Sequence, residues 1–246
     1  MRKNRHPVRM LAVLLAISLL LGMTAAAGNA STTLKTVVPE RNGGGSAGGA
    51  VGGVAGQGCP KNETCPLWPF RDAETTAWYH DGVHYCIENG IMQGYSKTKF
   101  GPNDATTRAQ LVVILHRLAG SPSVGGQAFG DVPAGSWFSA AVQWASGIGI
   151  VKGYGNGEFG PNDTVTREQL VTIMHRYSQG SNAVSKKNIG DFGYDDAKKV
   201  STWAQSAMCW ALEKGIVNGI TAKKLSPQGN ASRAQIATII WRNYGK

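Results

Sequence analysis

Between residues 130 and 180 the apolar positions form two helical stripes separated by a polar, glycine-rich interval. Trp137, Ala141, Trp144, Ala145 and Ile148 fall at i, i+4, i+7, i+8 and i+11, one face of a helix. Gly149 follows where a helix C-cap favours left-handed backbone. The chain then turns through Gly153-Tyr154-Gly155-Asn156-Gly157 towards Phe159-Gly160-Pro161-Asn162-Asp163. Leu170, Ile173, Met174 and Tyr177 make the second stripe. The pattern predicts a helix, a structured loop and a second helix, in an all-α chain.

The same pattern occurs three times. Trp78, Trp137 and Trp203 are separated by 59 and 66 residues, and Arg108, Arg167 and Arg233 by the same two intervals. Sixteen residues after each tryptophan stands Gly94, Gly153 or Gly219, and eight further on Pro102, Pro161 or Pro227. Ahead of each first helix come Phe70-Arg71-Asp72, Phe129-Gly130-Asp131 and Ile189-Gly190-Asp191. One helical pair cannot bury its own apolar face, so the three copies are expected to share one core. The expected boundaries are 66–124, 125–184 and 185–246, a stretch long enough for such a core.

What precedes the repeats changes the setting. Residues 1–30 read as a secretory signal peptide: Arg2, Lys3, Arg5 and Arg9, then an apolar run of 14 residues from Met10 to Met23, then small residues. The run falls short of the roughly 20 residues that span a bilayer, so no transmembrane anchor is expected. Cleavage would leave Gly28 or Ser31 as the new N-terminus, and no lipid or sorting signal is visible. Residues 31–65 read as a glycine-rich tether carrying two cysteines. The whole chain carries +10; four of those charges leave with the signal, and the remaining +6 favours an anionic partner. Export makes nucleic acid the least suitable of such partners. The four cysteines, Cys59, Cys65, Cys86 and Cys209, point to disulfides in an exported protein. The simplest pairing is Cys59–Cys65 with Cys86–Cys209. The repeat register argues partly against it, because Cys86 aligns with Ala145 and Ala211 while Cys209 aligns with His84 and Gln143, and the connectivity stays open. His80 and His84 have ligand spacing but lack the glutamate of H-E-x-x-H, and the chain has no C-x-x-C. No metal site and no cofactor are expected.

Each second helix opens on a tetrad, Thr107-Arg108-Ala109-Gln110, Thr166-Arg167-Glu168-Gln169 and Ser232-Arg233-Ala234-Gln235. The first and fourth positions fit a capping box. The arginine is not explained by capping, because the helix macrodipole disfavours a cation there. A guanidinium beside free N–H groups is a site for a carboxylate or phosphate. The alternative is an ion pair with Asp72, Asp131 and Asp191. Trp78, Trp137 and Trp203 open an apolar stripe and are read as core residues, with stacking on a sugar ring as the functional alternative. His116 and His175 are equivalent and belong to the repeat architecture.

The order F-x-D, tryptophan, G-[IV]-x-x-G-Y, F-x-P-N-D and T-R-[AE]-Q, three times over residues 69–246, resembles the S-layer homology module. The resemblance implies a pseudo-threefold bundle of helix–loop–helix units. It implies noncovalent anchoring of exported proteins to secondary cell wall polysaccharide, often to a pyruvylated amino sugar. The binding grooves would lie between repeats. Arg108, Arg167 and Arg233 would contact the acidic ketal, alongside Asp72, Asp131 and Asp191, Trp78, Trp137 and Trp203, and Gly94, Gly153 and Gly219. Glutamine replaces the family's usual glutamate in all three tetrads. The third copy departs most, with Ile220 for tyrosine, Leu225 for phenylalanine, and Ser226-Pro227-Gln228 for Gly-Pro-Asn.

The expected protein is therefore a noncatalytic, exported cell-wall-binding chain at the surface of a bacterium, with wall polysaccharide and other surface proteins as partners. One rival is a surface-layer or protein–protein assembly module that binds no sugar. The other is an exported wall hydrolase, against which no catalytic constellation stands outside the repeat register. Arg233, in the most divergent copy, is expected to matter least for polysaccharide affinity, and all three arginines are expected at the surface, so that their loss leaves the chain folded.

Overall fold

The computed structural model describes residues 58–179 and 185–245, which fall within one compact unit. The expected signal peptide at 1–30 and most of the tether lie outside the described residues. Among the described residues there are six α-helices and no sheet: α1 (His80–Glu88), α2 (Arg108–Leu118), α3 (Ser139–Gly147), α4 (Arg167–Gln179), α5 (Gln205–Glu213) and α6 (Arg233–Tyr244). The all-α expectation holds. Among the described residues no helix is long and apolar enough to cross a membrane.

The helices pair across repeats rather than within them. α2 packs on α3, α4 on α5, and α6 returns to α1, so the contacts run in a cycle. Leu111, Leu115, Val142, Leu170, Met174, Met208, Ile236 and Ile240 from these helices are buried in one cluster. The seam between α1 and α6 explains Gly82, a residue that weakens a helix in isolation. A Cβ there would lie 2.6 Å from the Thr238 Cα, so only glycine lets the two backbones approach this closely.

The segments leading into the second helices meet at the centre. Thr106 N donates to Ala231 O (3.0 Å), Ala231 N to Val165 O (2.8 Å) and Val165 N to Thr106 O (2.9 Å), a closed triangle of backbone hydrogen bonds. Three short segments thus satisfy one another's backbone groups at a buried position, which no one of them could do alone.

The folded part begins before the expected end of the tether at residue 65. Cys65 and Leu67 are buried, and Cys59 packs against the core.

Candidate functional site

The three tetrads form capping boxes. Gln110 N, Gln169 N and Gln235 N donate to the hydroxyls of Thr107, Thr166 and Ser232, while each glutamine side chain accepts from the cap residue's own N–H. The preceding N–H groups are not free. Arg108 N donates to Asp163 O (2.9 Å) and Ala109 N to Pro161 O (3.0 Å). Arg167 N and Glu168 N bond Gly229 O and Pro227 O in the same way, and Arg233 N and Ala234 N bond Asp104 O and Pro102 O. The expectation of open helix N-termini is corrected: the next repeat's turn fills each of them.

The arginines are also not at the surface. Arg108, Arg167 and Arg233 are 7%, 5% and 5% exposed. Each reaches into the loop of the following repeat. Arg108 Nε donates to Phe159 O (2.8 Å). Arg167 donates from Nε to Leu225 O (3.0 Å) and from Nη2 to Asn218 O (2.7 Å). Arg233 closes the cycle onto the first repeat, from Nε to Phe100 O (2.9 Å) and from Nη2 to Gln93 O (2.6 Å). Arg108 lies over the rings of Tyr154 and Phe159 at 4.7 and 4.8 Å, and Arg233 over Tyr95 and Phe100 at 4.4 and 4.7 Å. Burial pulls all three below the usual arginine pKa. Among the described residues none of the three is ion-paired with a carboxylate. No direct pair forms: the three buried cations are held by neutral carbonyls, with Asp131 and Asp163 near Arg108, Asp196 near Arg167, and Asp72 and Asp104 near Arg233 acting on them through space.

The loops they enter are braced from below. Both carboxylate oxygens of Asp72 accept backbone N–H groups, from Phe100 and Gly101 (2.8 Å each), and those of Asp131 accept from Phe159 and Gly160 (2.8 and 2.7 Å). In the third repeat this work is done by Asp196, which accepts from Leu225 N and Ser226 N (2.8 Å each). Asp191 instead caps its own turn, accepting from Asn188 N. The register expected for the third copy is therefore corrected from Ile189-Gly190-Asp191 to Tyr194-Asp195-Asp196. The loop glycines fit that correction. A Cβ on Gly94 would run into the ring of Phe70, on Gly153 into that of Phe129, and on Gly219 into that of Tyr194.

The tryptophans lie outside the core, against the first expectation for them. Trp78, Trp137 and Trp203 are 64%, 65% and 56% exposed. Two of them border grooves. One groove, about 270 Å³, has Gln93-Gly94-Tyr95 on one wall, α2 on another, Trp137 at its rim and Arg233 against its base. The other, about 370 Å³, is built in the same way from Asn218-Gly219-Ile220, α6, Trp78 and Arg167. Each groove thus takes its loop and helix from one repeat, its tryptophan from the next and its buried arginine from the one before. The same register assigns Arg108, the Gly153–Tyr154 loop, α4 and Trp203 to the third combination.

A second arginine lines each groove, Arg117 in the smaller and Arg242 in the larger. Arg176 is their counterpart on α4. These were missed in the sequence, although Arg117, Arg176 and Arg242 each follow the tetrad arginine by nine residues.

A sequence model of the S-layer homology domain matches residues 69–112, 128–171 and 193–237, more than half of the chain. The chain belongs to the S-layer homology family. The third match begins after Asp191 and includes Tyr194 and Asp196, in agreement with the bonding pattern. Among curated relatives, an amylopullulanase of Thermoanaerobacterium thermosulfurigenes is 33% identical over 174 residues, 70% of this chain but 9% of that protein. An endoglucanase of Bacillus sp. (strain KSM-635) is 34% identical over 71% of this chain and 19% of the enzyme. A cellulosome-anchoring protein of Acetivibrio thermocellus is 25% identical over 71% of this chain and 41% of its own length. The chain spans well under two thirds of each. The likeness to proteins with enzyme names is confined to about a tenth or a fifth of their length.

One further cluster in this S-layer homology chain lies away from the grooves. Cys65 Sγ stands 3.5 Å from His80 Nε2 and 3.9 Å from His84 Nδ1, and with Cys59 the four ligand atoms lie within 4.8 Å of one another. Two sequence expectations are corrected. Histidine and cysteine ligands distant in sequence do converge. And all four cysteines are free, so neither Cys59–Cys65 nor Cys86–Cys209 is a disulfide. Cys86 is buried on α1, as its register predicts, but Cys209 is buried too, in contrast to the exposed position that alignment with Gln143 suggests.

Proposed function

We propose that this chain is a noncatalytic module that holds itself, and whatever is attached to it, on a bacterial cell wall by binding a carboxylated wall polysaccharide in its inter-repeat grooves. The observation that carries this reading is a buried guanidinium with no carboxylate in direct contact, at the base of a groove with an exposed tryptophan at its rim. Burial of a cation is costly, nearby aspartates offset that cost only through space, and an anionic ligand in direct contact relieves more of it. An exposed indole beside it offers a flat apolar face of the kind a sugar ring stacks on. A pyruvyl ketal on an amino sugar combines the two requirements, one carboxylate on one pyranose.

Arg108, Arg167 and Arg233 supply the charge, with Arg117, Arg176 and Arg242 as a second cation for each groove. Trp78, Trp137 and Trp203 supply the stacking face. Gly94, Gly153 and Gly219 let the loop lie flat against the aromatic residue beneath it. Asp72, Asp131 and Asp196 act by holding the loop rather than by touching sugar. Support comes also from relatives whose names are cellulosome-anchoring protein, S-layer protein and cell surface protein.

The test is calorimetric titration of the folded chain with purified wall polysaccharide before and after mild acid removal of its ketal carboxylates. A charge-assisted hydrogen bond contributes about 1.5–3 kcal/mol, so loss of the carboxylate should weaken binding roughly ten- to a hundredfold. Trp137→Ala, at an exposed position, should weaken binding without lowering thermal stability. Equal affinity for both polysaccharides, or retention on walls stripped of polysaccharide, would overturn the proposal in favour of protein docking.

A further inference from the structure

We propose that Cys59, Cys65, His80 and His84 form a tetrahedral zinc site that clamps the start of the folded chain onto α1. The four side chains come from two places, a turn at 58–65 and one face of α1, where His80 and His84 are one helical turn apart. A tetrahedral Cys2His2 zinc with bonds of about 2.3 Å to sulfur and 2.0–2.1 Å to nitrogen separates its ligand atoms by about 3.4–3.8 Å. Cys65 Sγ and His80 Nε2 stand at 3.5 Å, and Cys65 Sγ and His84 Nδ1 at 3.9 Å. All four ligand atoms fit within 4.8 Å, so closing on a metal needs shifts of an ångström or less.

The nitrogens not facing the cysteine have carboxylates beside them. His80 Nδ1 is 2.8 Å from Asp81 Oδ1, and His84 Nε2 is 3.8 Å from Glu88 Oε2. A ligating imidazole commonly donates its other N–H to a carboxylate, which fixes its tautomer. Here that arrangement aims His80 Nε2 and His84 Nδ1 at the cysteines. Cys65 and His80 are buried, and Cys59 is partly open. Zinc can thus enter from one side and be held out of water on the other. Zinc suits this set because two thiolates and two imidazoles give tetrahedral S2N2 coordination with no redox demand. Binding displaces one proton from each thiol, so two protons are released per zinc ion bound.

The site sits on α1, which closes the helix cycle against α6. Metal binding therefore couples the start of the folded chain to the seam between α1 and α6. This goes beyond the wall-binding reading and does not depend on it.

The experiment uses the chain secreted into culture medium and purified without chelator. Elemental analysis should give one zinc per chain. Replacement by Co2+ should give a thiolate-to-cobalt charge-transfer band with the intense visible bands of tetrahedral cobalt. Cys59→Ser, at a partly exposed position, should abolish both signals, and Cys209→Ser should change neither. Asp81→Asn should weaken zinc binding by about ten- to a hundredfold while leaving the helical signal intact. A Cys59–Cys65 disulfide found by peptide mapping of the unreduced secreted protein would overturn the proposal. So would a reduced chain that gives only the weak, sulfur-free spectrum of octahedral cobalt. Neither result would bear on polysaccharide binding, which is measured at the grooves.

Discussion

Replacement of Arg233 by alanine should destabilise the fold more than the same change at either of the other two tetrad arginines. The side chain links the last repeat to the first through two carbonyls, Phe100 O at 2.9 Å and Gln93 O at 2.6 Å, and stacks on Tyr95 and Phe100. Hydrogen bonds from a charged donor are each worth about 1.5–3 kcal/mol. The lower figure applies here, because the emptied groove admits water to both carbonyls. The cation–π contact with the half-exposed Tyr95 ring adds about 0.5–1 kcal/mol. The net cost is therefore about 3–4 kcal/mol. For a domain of this size each kcal/mol shifts Tm by about 2–4 °C, so a fall of roughly 6–16 °C is expected. Among the described residues Arg108 makes one such carbonyl bond, and Arg167 makes two with no aromatic ring over it, so Arg108→Ala and Arg167→Ala should each lose less. Arg233→Lys should recover under half of the loss, since one ammonium cannot reproduce the fork that reaches both carbonyls. Thermal unfolding followed by circular dichroism, without polysaccharide, measures all four. A Tm for Arg233→Ala within about 2 °C of the unmodified chain would refute the reasoning.

Two other positions offer sharp tests. Ser226 holds φ 54 where Gly101 and Gly160 hold φ 73 in the other repeats, so Ser226→Gly should relieve a left-handed residue and raise stability by about 0.5–1 kcal/mol after the added chain entropy of glycine, read as a Tm increase of a few degrees. An unchanged or lowered Tm would mean that the serine carries no strain. Gly82→Ala should cost about 1–3 kcal/mol by forcing α1 away from the Thr238 backbone, and the loss should appear as earlier unfolding in urea with little change in slope. A neutral result would contradict the close approach of α1 and α6.

The helices and their caps were legible in the sequence because both are local. Thr107 and Gln110 make their bonds within one turn, and the stripe through Leu170, Ile173, Met174 and Tyr177 needs no knowledge of its partner. What escaped was whatever depends on the neighbouring repeat. The arginines looked exposed because nothing in their own repeat covers them; Phe159, Leu225 and Phe100 of the following repeat do. The tryptophans looked buried because they continue an apolar stripe, yet the helices begin two residues later, at His80 and Ser139, or after a short 3-10 turn, at Gln205. Ahead of the helix the backbone no longer follows the helical period, and the indole turns outward. Ile189-Gly190-Asp191 misled by its likeness to Phe129-Gly130-Asp131. The missing signal was the aromatic ring that a loop glycine rests on, present in Tyr194 and absent from Ile189. The convergence of Cys59 and Cys65 with His80 and His84 was invisible for the same reason, since no spacing rule links a turn to a helix face that it folds back upon.

The cyclic exchange of parts changes how the divergence of the third repeat should be understood. Its loop, with Ile220 and Ser226, faces Arg167 of the second repeat and Trp78 of the first, so the groove whose loop has diverged is the one those two residues serve. The third repeat's own arginine is employed elsewhere, against the first repeat's intact loop beside Tyr95. Its tryptophan, Trp203, falls by the same register beside the second repeat's intact loop. A repeat can therefore lose its own groove and still be required for the other two. The cost of losing any repeat is shared around the cycle, because each buried arginine, each filled helix N-terminus and one side of the central hydrogen-bond triangle depend on the next copy. On this geometry a single repeat has neither a complete groove nor satisfied helix ends, and the three copies together close the cycle.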